Sequence, residues 1–233
     1  MPLFVYAKQL DHGTTNPIVA RLTLQMLEIL KQCSLAEEKR NEIGGIYMNS
    51  LVKKLLRCWE IEGRLRAAVD KALASYKPPA RGAAAVELPQ VPQLEEECHN
   101  FFYEAKNYLW DLLKVFNLHG TNYEEASEWV RPTRKSPQPV KDFAAETFGE
   151  THVNTVFFRQ LPGCIQPFID MRNAVEHPKG YSGELRIKNL TFGADGKLAV
   201  PCWSREKDGK TEYGSSLTCR WALITFSYWA KTF

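Results

Sequence analysis

Apolar residues recur at intervals of three and four through most of the chain up to residue 177, the period of helices buried along one side. Over 17–32 they fall at Ile18, Leu22, Leu24, Met26, Leu27 and Leu30; Asn16 precedes them as a cap and Pro17 takes the first helical position, where a missing N–H costs nothing. Gly44-Gly45 predicts a break. A long helix follows over 48–76, with Leu51, Leu55, Trp59, Val69 and Leu73 on one side and basic residues on the other. Residues 77–92 are rich in proline and alanine and predict a loop, because Pro78-Pro79 and Pro89 cannot continue a helix. A second long helix is expected over 93–118, crowded with Phe101, Phe102, Tyr103, Tyr108, Trp110 and Phe116; core packing is favoured over base stacking for that stripe. Gly120 closes it, 123–130 reads as a short helix, and 131–141 as a basic, proline-interrupted loop. A further helix spans 154–177, with Pro162 and Pro167 marking a bend or a break.

Beyond Pro178 the period shortens to two. Residues 184–191 alternate Leu185, Ile187 and Leu190 with polar neighbours, 193–196 form a turn, and 197–203 read as the return strand of a hairpin. Residues 204–216 look polar and turn-like, and the apolar 217–233 suggest a closing helix. The expected fold is mainly α: an antiparallel helical bundle with a small C-terminal β-hairpin. Its divisions are an N-terminal helical extension over 1–45, the bundle over 46–180 with its loop at 77–92, and the hairpin with a closing segment over 181–233.

Composition narrows the class of protein. The 233 residues are 44% hydrophobic and 24% charged, ordinary for a globular chain with a real core. No stretch is long and apolar enough to span a bilayer and no signal peptide is visible, so the expectation is a cytoplasmic protein with no membrane partner. The six cysteines lack any Cys-x-x-Cys pair, which speaks against zinc and for reduced, mostly buried thiols. A net charge of +3 permits nucleic-acid binding without indicating it.

The densest chemistry lies at 168–178, Phe-Ile-Asp-Met-Arg-Asn-Ala-Val-Glu-His-Pro. Arg172, Asn173 and His177 bring a fixed cation, an amide and a titratable imidazole to a helix C-terminus, a set able to hold a phosphate and move protons around it. On an ideal helix Asn173 and His177 lie about 40° apart, but Arg172 and His177 about 140° apart. Convergence on one phosphate therefore needs a loosened last turn or a second chain. The competing structural reading is equally concrete: Arg172 pairs with Glu176 at i,i+4 and His177 serves the last carbonyls. Asp170 and Glu176 beside a lone histidine read as a solvated helix face, with no metal site and no cofactor expected. In the basic loop, Arg131, Arg134 and Lys135 read either as part of a solvated connection or, with Lys179, as an RNA-contacting arm.

Arg172-Asn173-x-x-x-His177 at the end of a bundle helix resembles the signature of the HEPN family, an arginine followed after four to six residues by a histidine, with Asn, Asp or His often next to the arginine. The likeness extends to the layout of long helices from about Met48 to Lys179. The resemblance implies a bundle that dimerises with its motif helices face to face, and a metal-independent endoribonuclease of toxin–antitoxin, antiphage or RNA-processing systems. It further implies RNA as substrate, a homodimer, and an antitoxin or regulatory protein as partner. Arg172 and His177 would be the catalytic pair and Asn173 the polar helper. The implied chemistry is attack of the ribose 2′-OH on the adjacent phosphorus, leaving a 2′,3′-cyclic phosphate and a 5′-OH. Some members have lost catalysis and act as binding or scaffolding modules, the alternative reading here. One subgroup carries a tyrosine two residues after the histidine; this chain has Lys179 there, and Tyr181 further on.

Overall fold

The computed structural model describes residues 10–78, 85–193 and 196–216, the last four by backbone alone. Helix α1 (Pro17–Val19) begins where the Asn16 side chain accepts the Ile18 N–H at 2.9 Å, and passes through a π-helical turn (Ala20–Gln25) into α2 (Met26–Gln32). Helix α3 (Glu37–Ile46) runs through a second π-helical turn (Tyr47–Leu51) into α4 (Val52–Ser75). The break expected at Gly44-Gly45 does not occur. Each glycine costs about 1 kcal/mol in a helix interior, but Ile43, Tyr47 and Leu51 on the same run are buried, and Gly44 faces Leu27 and Leu30 of α2.

Helix α5 (Leu94–Asn117) packs along α4, and α7 (Val153–Glu176) packs along α5. Between them lie a 3-10 turn (Ala126–Trp129) and α6 (Val140–Phe148); the latter begins inside the expected basic loop. Helix α7 continues through Pro162 and Pro167 without a break. Its buried face, Phe158, Leu161, Ile165, Phe168 and Ile169, holds it against its neighbours where proline removes backbone bonds. Val19, Leu22, Met26 and Leu30 belong to the same apolar core as α4, α5 and α7.

The fold is mainly α with a small antiparallel sheet, and that sheet is larger than one hairpin. Strands β1 (Glu184–Lys188), β4 (Cys202–Lys207) and β5 (Lys210–Ser216) lie in the order β1-β4-β5, while β2 (Thr191–Phe192) and β3 (Leu198–Ala199) form a separate short ladder. The stretch 204–216, expected to be turn-like, thus holds most of a second hairpin, which turns at Asp208-Gly209 with φ of 51° and 73°. Trp203 carries the sheet onto the bundle, its ring 4.5 Å from Phe102 and 6.1 Å from Phe101. Arg205, 5% exposed, bonds Asp170 of α7 at 2.9 Å and also Glu212 of β5. The end of the proline-rich loop is pinned as well, since Asn189 accepts the Val91 N–H at 3.0 Å and donates to its carbonyl at 2.9 Å. The closing helix expected over 217–233 lies outside the described residues.

Among the described residues no helix is long and apolar enough to cross a membrane. The thiols differ from expectation. Cys58 and Cys98 are buried, but Cys33 and Cys202 are half-buried and Cys164 is exposed. Burial pushes the Cys98 thiol up to about 12.

Candidate functional site

Helix α7 ends at Glu176 because the next residues cannot extend it. His177 keeps one helical bond, its N–H to the Asn173 carbonyl at 2.9 Å, but takes φ −130° and ψ 67°. Pro178 follows, Lys179 sits at φ 64°, and the Gly180 N–H returns to the His177 carbonyl at 2.9 Å. A Cβ on Gly180 would stand 2.9 Å from that same oxygen, so the turn needs glycine. The imidazole is left exposed at the helix end.

The arginine of the motif points elsewhere. Arg172 is 11% exposed, lies over the Tyr103 ring of α5 at 4.8 Å, and bonds Glu176 at 2.7 Å. The i,i+4 pair weighed in the sequence is therefore present. Glu176 is shared, since Lys106 of α5 reaches it at 2.8 Å and also donates to the Asn173 side-chain oxygen at 3.0 Å. Burial would raise the Glu176 carboxyl, but the Lys106 bond and charge, with Arg172 and His177, hold it below the ordinary carboxylate range. The Asn173 amide N–H then donates to the Tyr181 hydroxyl at 3.4 Å, which fixes which end of the amide faces which partner.

Tyr181 joins the motif to the basic loop. Arg131 donates to its hydroxyl and lies over its ring at 5.1 Å. Burial pushes the phenol upward, yet the bonds from Arg131 and Asn173 and the Arg131 charge outweigh it and leave the phenol below its ordinary value. Arg131 is delivered by the 3-10 turn, which a reciprocal box closes: Glu128, fully buried, accepts the N–H groups of Glu124 at 2.6 Å and Glu125 at 2.9 Å and the Thr133 hydroxyl at 2.6 Å.

These groups border one open cleft of about 340 Å³ between α5, the 3-10 turn and the end of α7. Asn173, His177 and Arg131 line it, together with Lys106, Trp110 and Tyr181. Arg172 does not line it, nor do Arg134, Lys135 and Lys179, which are exposed elsewhere; Lys135 bonds Glu124 on the cleft wall. Asp170 departs from the expected solvated face: it is buried and paired with Arg205. His152 caps α7, accepting the Asn154 N–H at 3.2 Å, and His12 bonds Glu60 at 2.9 Å; neither lines the cleft.

The chain matches no family model, no curated protein and no solved structure. Function is therefore read from the cleft. Lys106 and Tyr181 are not among the site residues expected from the sequence, and Trp110 reads there with its aromatic stripe as core, although Lys106 and Trp110 stand four apart on α5 and so share a face.

Proposed function

We propose that the cleft is the site of a metal-independent endoribonuclease acting in the cytoplasm. The observation that carries this reading is the meeting of an exposed His177 with Asn173, Lys106, Arg131 and Tyr181 around one opening. Transesterification by the ribose 2′-OH needs a group to take its proton and one to protonate the leaving 5′-oxygen, and an imidazole titrates in the useful range. His177 fills one of these roles. Arg131 and Lys106 neutralise charge growing on the non-bridging oxygens. Asn173 orients the site through its bonds to Lys106 and Tyr181.

Arg172 enters in one of two ways. Within one chain it stays with Glu176 and Tyr103 and acts as a positioning residue. In a two-fold dimer with facing motif helices, a second imidazole and arginine reach each cleft, and Arg172 contributes to the neighbouring copy. A toxin or antiphage setting, with an inhibitory partner protein, suits an enzyme of this kind.

The test is cleavage of labelled RNA in EDTA by wild type, His177→Ala, Arg131→Ala and Arg172→Ala, with product ends identified and dimerisation followed by sedimentation. The expected result is cyclic-phosphate ends from wild type and their loss in His177→Ala. Arg131→Ala outweighing Arg172→Ala marks a site complete in one chain; the reverse, with a dimer, marks a shared site. Cleavage untouched in His177→Ala sinks the mechanism. The second reading, an RNA-binding module without cleavage, is favoured by the Arg172–Glu176 pair, and it predicts bound but intact RNA.

A further inference from the structure

The aromatic residues of α5 divide into two sets. Phe101, Phe102 and Tyr108 are buried, whereas Trp110 is 43% exposed and opens on the cleft. Tyr181, 58% exposed, opens on the same cleft from beyond α7. Large rings left wet are unfavourable for the fold alone, since each forfeits apolar burial. Each ring also carries a cation on one side: Lys114 lies 4.8 Å from the centre of the Trp110 ring and Arg131 5.1 Å from that of Tyr181. The third exposed ring nearby, Tyr103, is covered by Arg172 and does not line the cleft.

We propose that Trp110 and Tyr181 form a base-stacking subsite of this cleft, which takes an unpaired nucleobase of single-stranded RNA. The proposal rests on the reading of the cleft as an RNA site and names its substrate class. Rings interleaved with cations are what a single strand requires, with bases on the π-faces and phosphates on the ammonium and guanidinium groups. A duplex keeps its bases stacked on one another and offers these rings nothing to hold. The carboxylates nearby are already engaged. Glu176 is paired with Lys106 and Arg172 and Glu124 with Lys135, which offsets their charge toward a phosphate, while Glu125 accepts the Ser127 hydroxyl and keeps its charge.

The experiment uses a fluorescently labelled 2′-O-methyl RNA, which lacks the attacking hydroxyl and so reports binding alone. Its dissociation constant is measured by anisotropy at fixed salt, as a single strand and as a duplex. The proteins are wild type, Trp110→Ala, Trp110→Phe, Tyr181→Ala and Tyr181→Phe, with circular dichroism confirming that each is folded. Trp110→Ala and Tyr181→Ala are each expected to weaken single-strand binding about tenfold, Trp110→Phe to keep most of it, Tyr181→Phe to lose only the part that depends on the hydroxyl bonded to Arg131, and the duplex to bind much more weakly. Unchanged affinity in Trp110→Ala and Tyr181→Ala, or a duplex held as tightly as the single strand, overturns the subsite. So does Trp110→Ala dissociating a dimer while RNA affinity stays constant, which would make the face a contact between copies. Tight single-strand binding that needs Trp110, without cleavage of ordinary RNA, keeps the subsite and sinks the ribonuclease. Cleavage that needs His177 but is bound equally well by Trp110→Ala does the opposite. No binding to any RNA removes both.

Discussion

Glu128 is a fully buried carboxylate whose partners are backbone N–H groups and a hydroxyl, and its replacement tests how the cleft is built. Its Oε2 accepts both backbone N–H groups and its Oε1 accepts the Thr133 hydroxyl. Glu128→Ala leaves three donors without their acceptor and removes one buried methylene along with the carboxyl group. A hydrogen bond to a charged group contributes about 1.5–3 kcal/mol when broken one-sidedly. Glu124 and Glu125 are exposed residues, so water can satisfy part of the loss, and the expected cost falls to about 3 kcal/mol. Glu128→Gln should cost only about 1 kcal/mol, because the amide oxygen can keep both N–H groups while the new NH₂ donates to the Thr133 oxygen. Urea unfolding followed by circular dichroism measures both; with a slope of about 2–3 kcal/mol/M the Ala variant should lose roughly 1 M in midpoint and the Gln variant less than half of that. The Arg131 N–H bonds the Ser127 carbonyl at 3.0 Å within the same turn, so the Ala variant should also bind RNA as poorly as Arg131→Ala. If Ala and Gln are equal in effect, or Ala lies within about 0.5 kcal/mol of wild type, the box does not hold the turn and the reasoning fails.

Three further outcomes follow from groups around the site. Asp170→Ala removes one carboxylate from the buried Arg205 while Glu212 stays bonded to it, and should cost about 2–4 kcal/mol by urea midpoint, whereas Asp170→Leu with Arg205→Met recovers most of it. Gly183→Ala forces a side chain onto φ +80° with its Cβ against the Glu206 carbonyl, and should lower the melting temperature by several degrees; an unchanged melt would show that β1 and β4 shift freely. Glu176 has a folded pKa below its ordinary 4.5, so its contribution is complete above that value and is lost as pH falls through the depressed one. Wild type should therefore lose stability faster than Glu176→Gln as acid is added below about pH 5, and parallel acid titrations of the two proteins would refute the clamp.

The helices were legible because their apolar faces and end signals agree. Asn16-Pro17 and the 93–118 stripe each became helix close to the expected bounds, and the 48–76 stripe ends where expected but continues at its start into α3. The errors fell where a local preference met a tertiary one. Gly44-Gly45 is a helix breaker in isolation, but burial on either side of it carries the helix through, as burial does at Pro162 and Pro167. β5 was missed for a different reason. Its register sets Arg205 opposite Glu212, Glu206 opposite Thr211 and Lys207 opposite Lys210, so charge hides the alternation that marks a strand. Asp208-Gly209 was the available signal, a dipeptide suited to a turn with two positive φ angles.

At the site the helical angle already contained the answer. About 140° separates positions five apart, and the structure keeps that separation: His177 opens on the cleft while Arg172 turns to Tyr103 and Glu176. Unpaired in one chain, an imidazole and an amide would make a poor phosphate site. What completes the cleft comes from far away in sequence, Lys106 from α5 and Arg131 from the turn before α6, and spacing along one helix cannot reveal either. Arg131 was visible as part of a basic loop, yet its neighbours Arg134 and Lys135 looked the same in sequence and fall outside the lining. The difference lies in Glu128, which shapes the turn, and Tyr181, whose hydroxyl and ring receive one guanidinium. A cation is drawn to a site by the group that holds it there, and for Arg131 that group is a phenol four residues beyond the motif histidine.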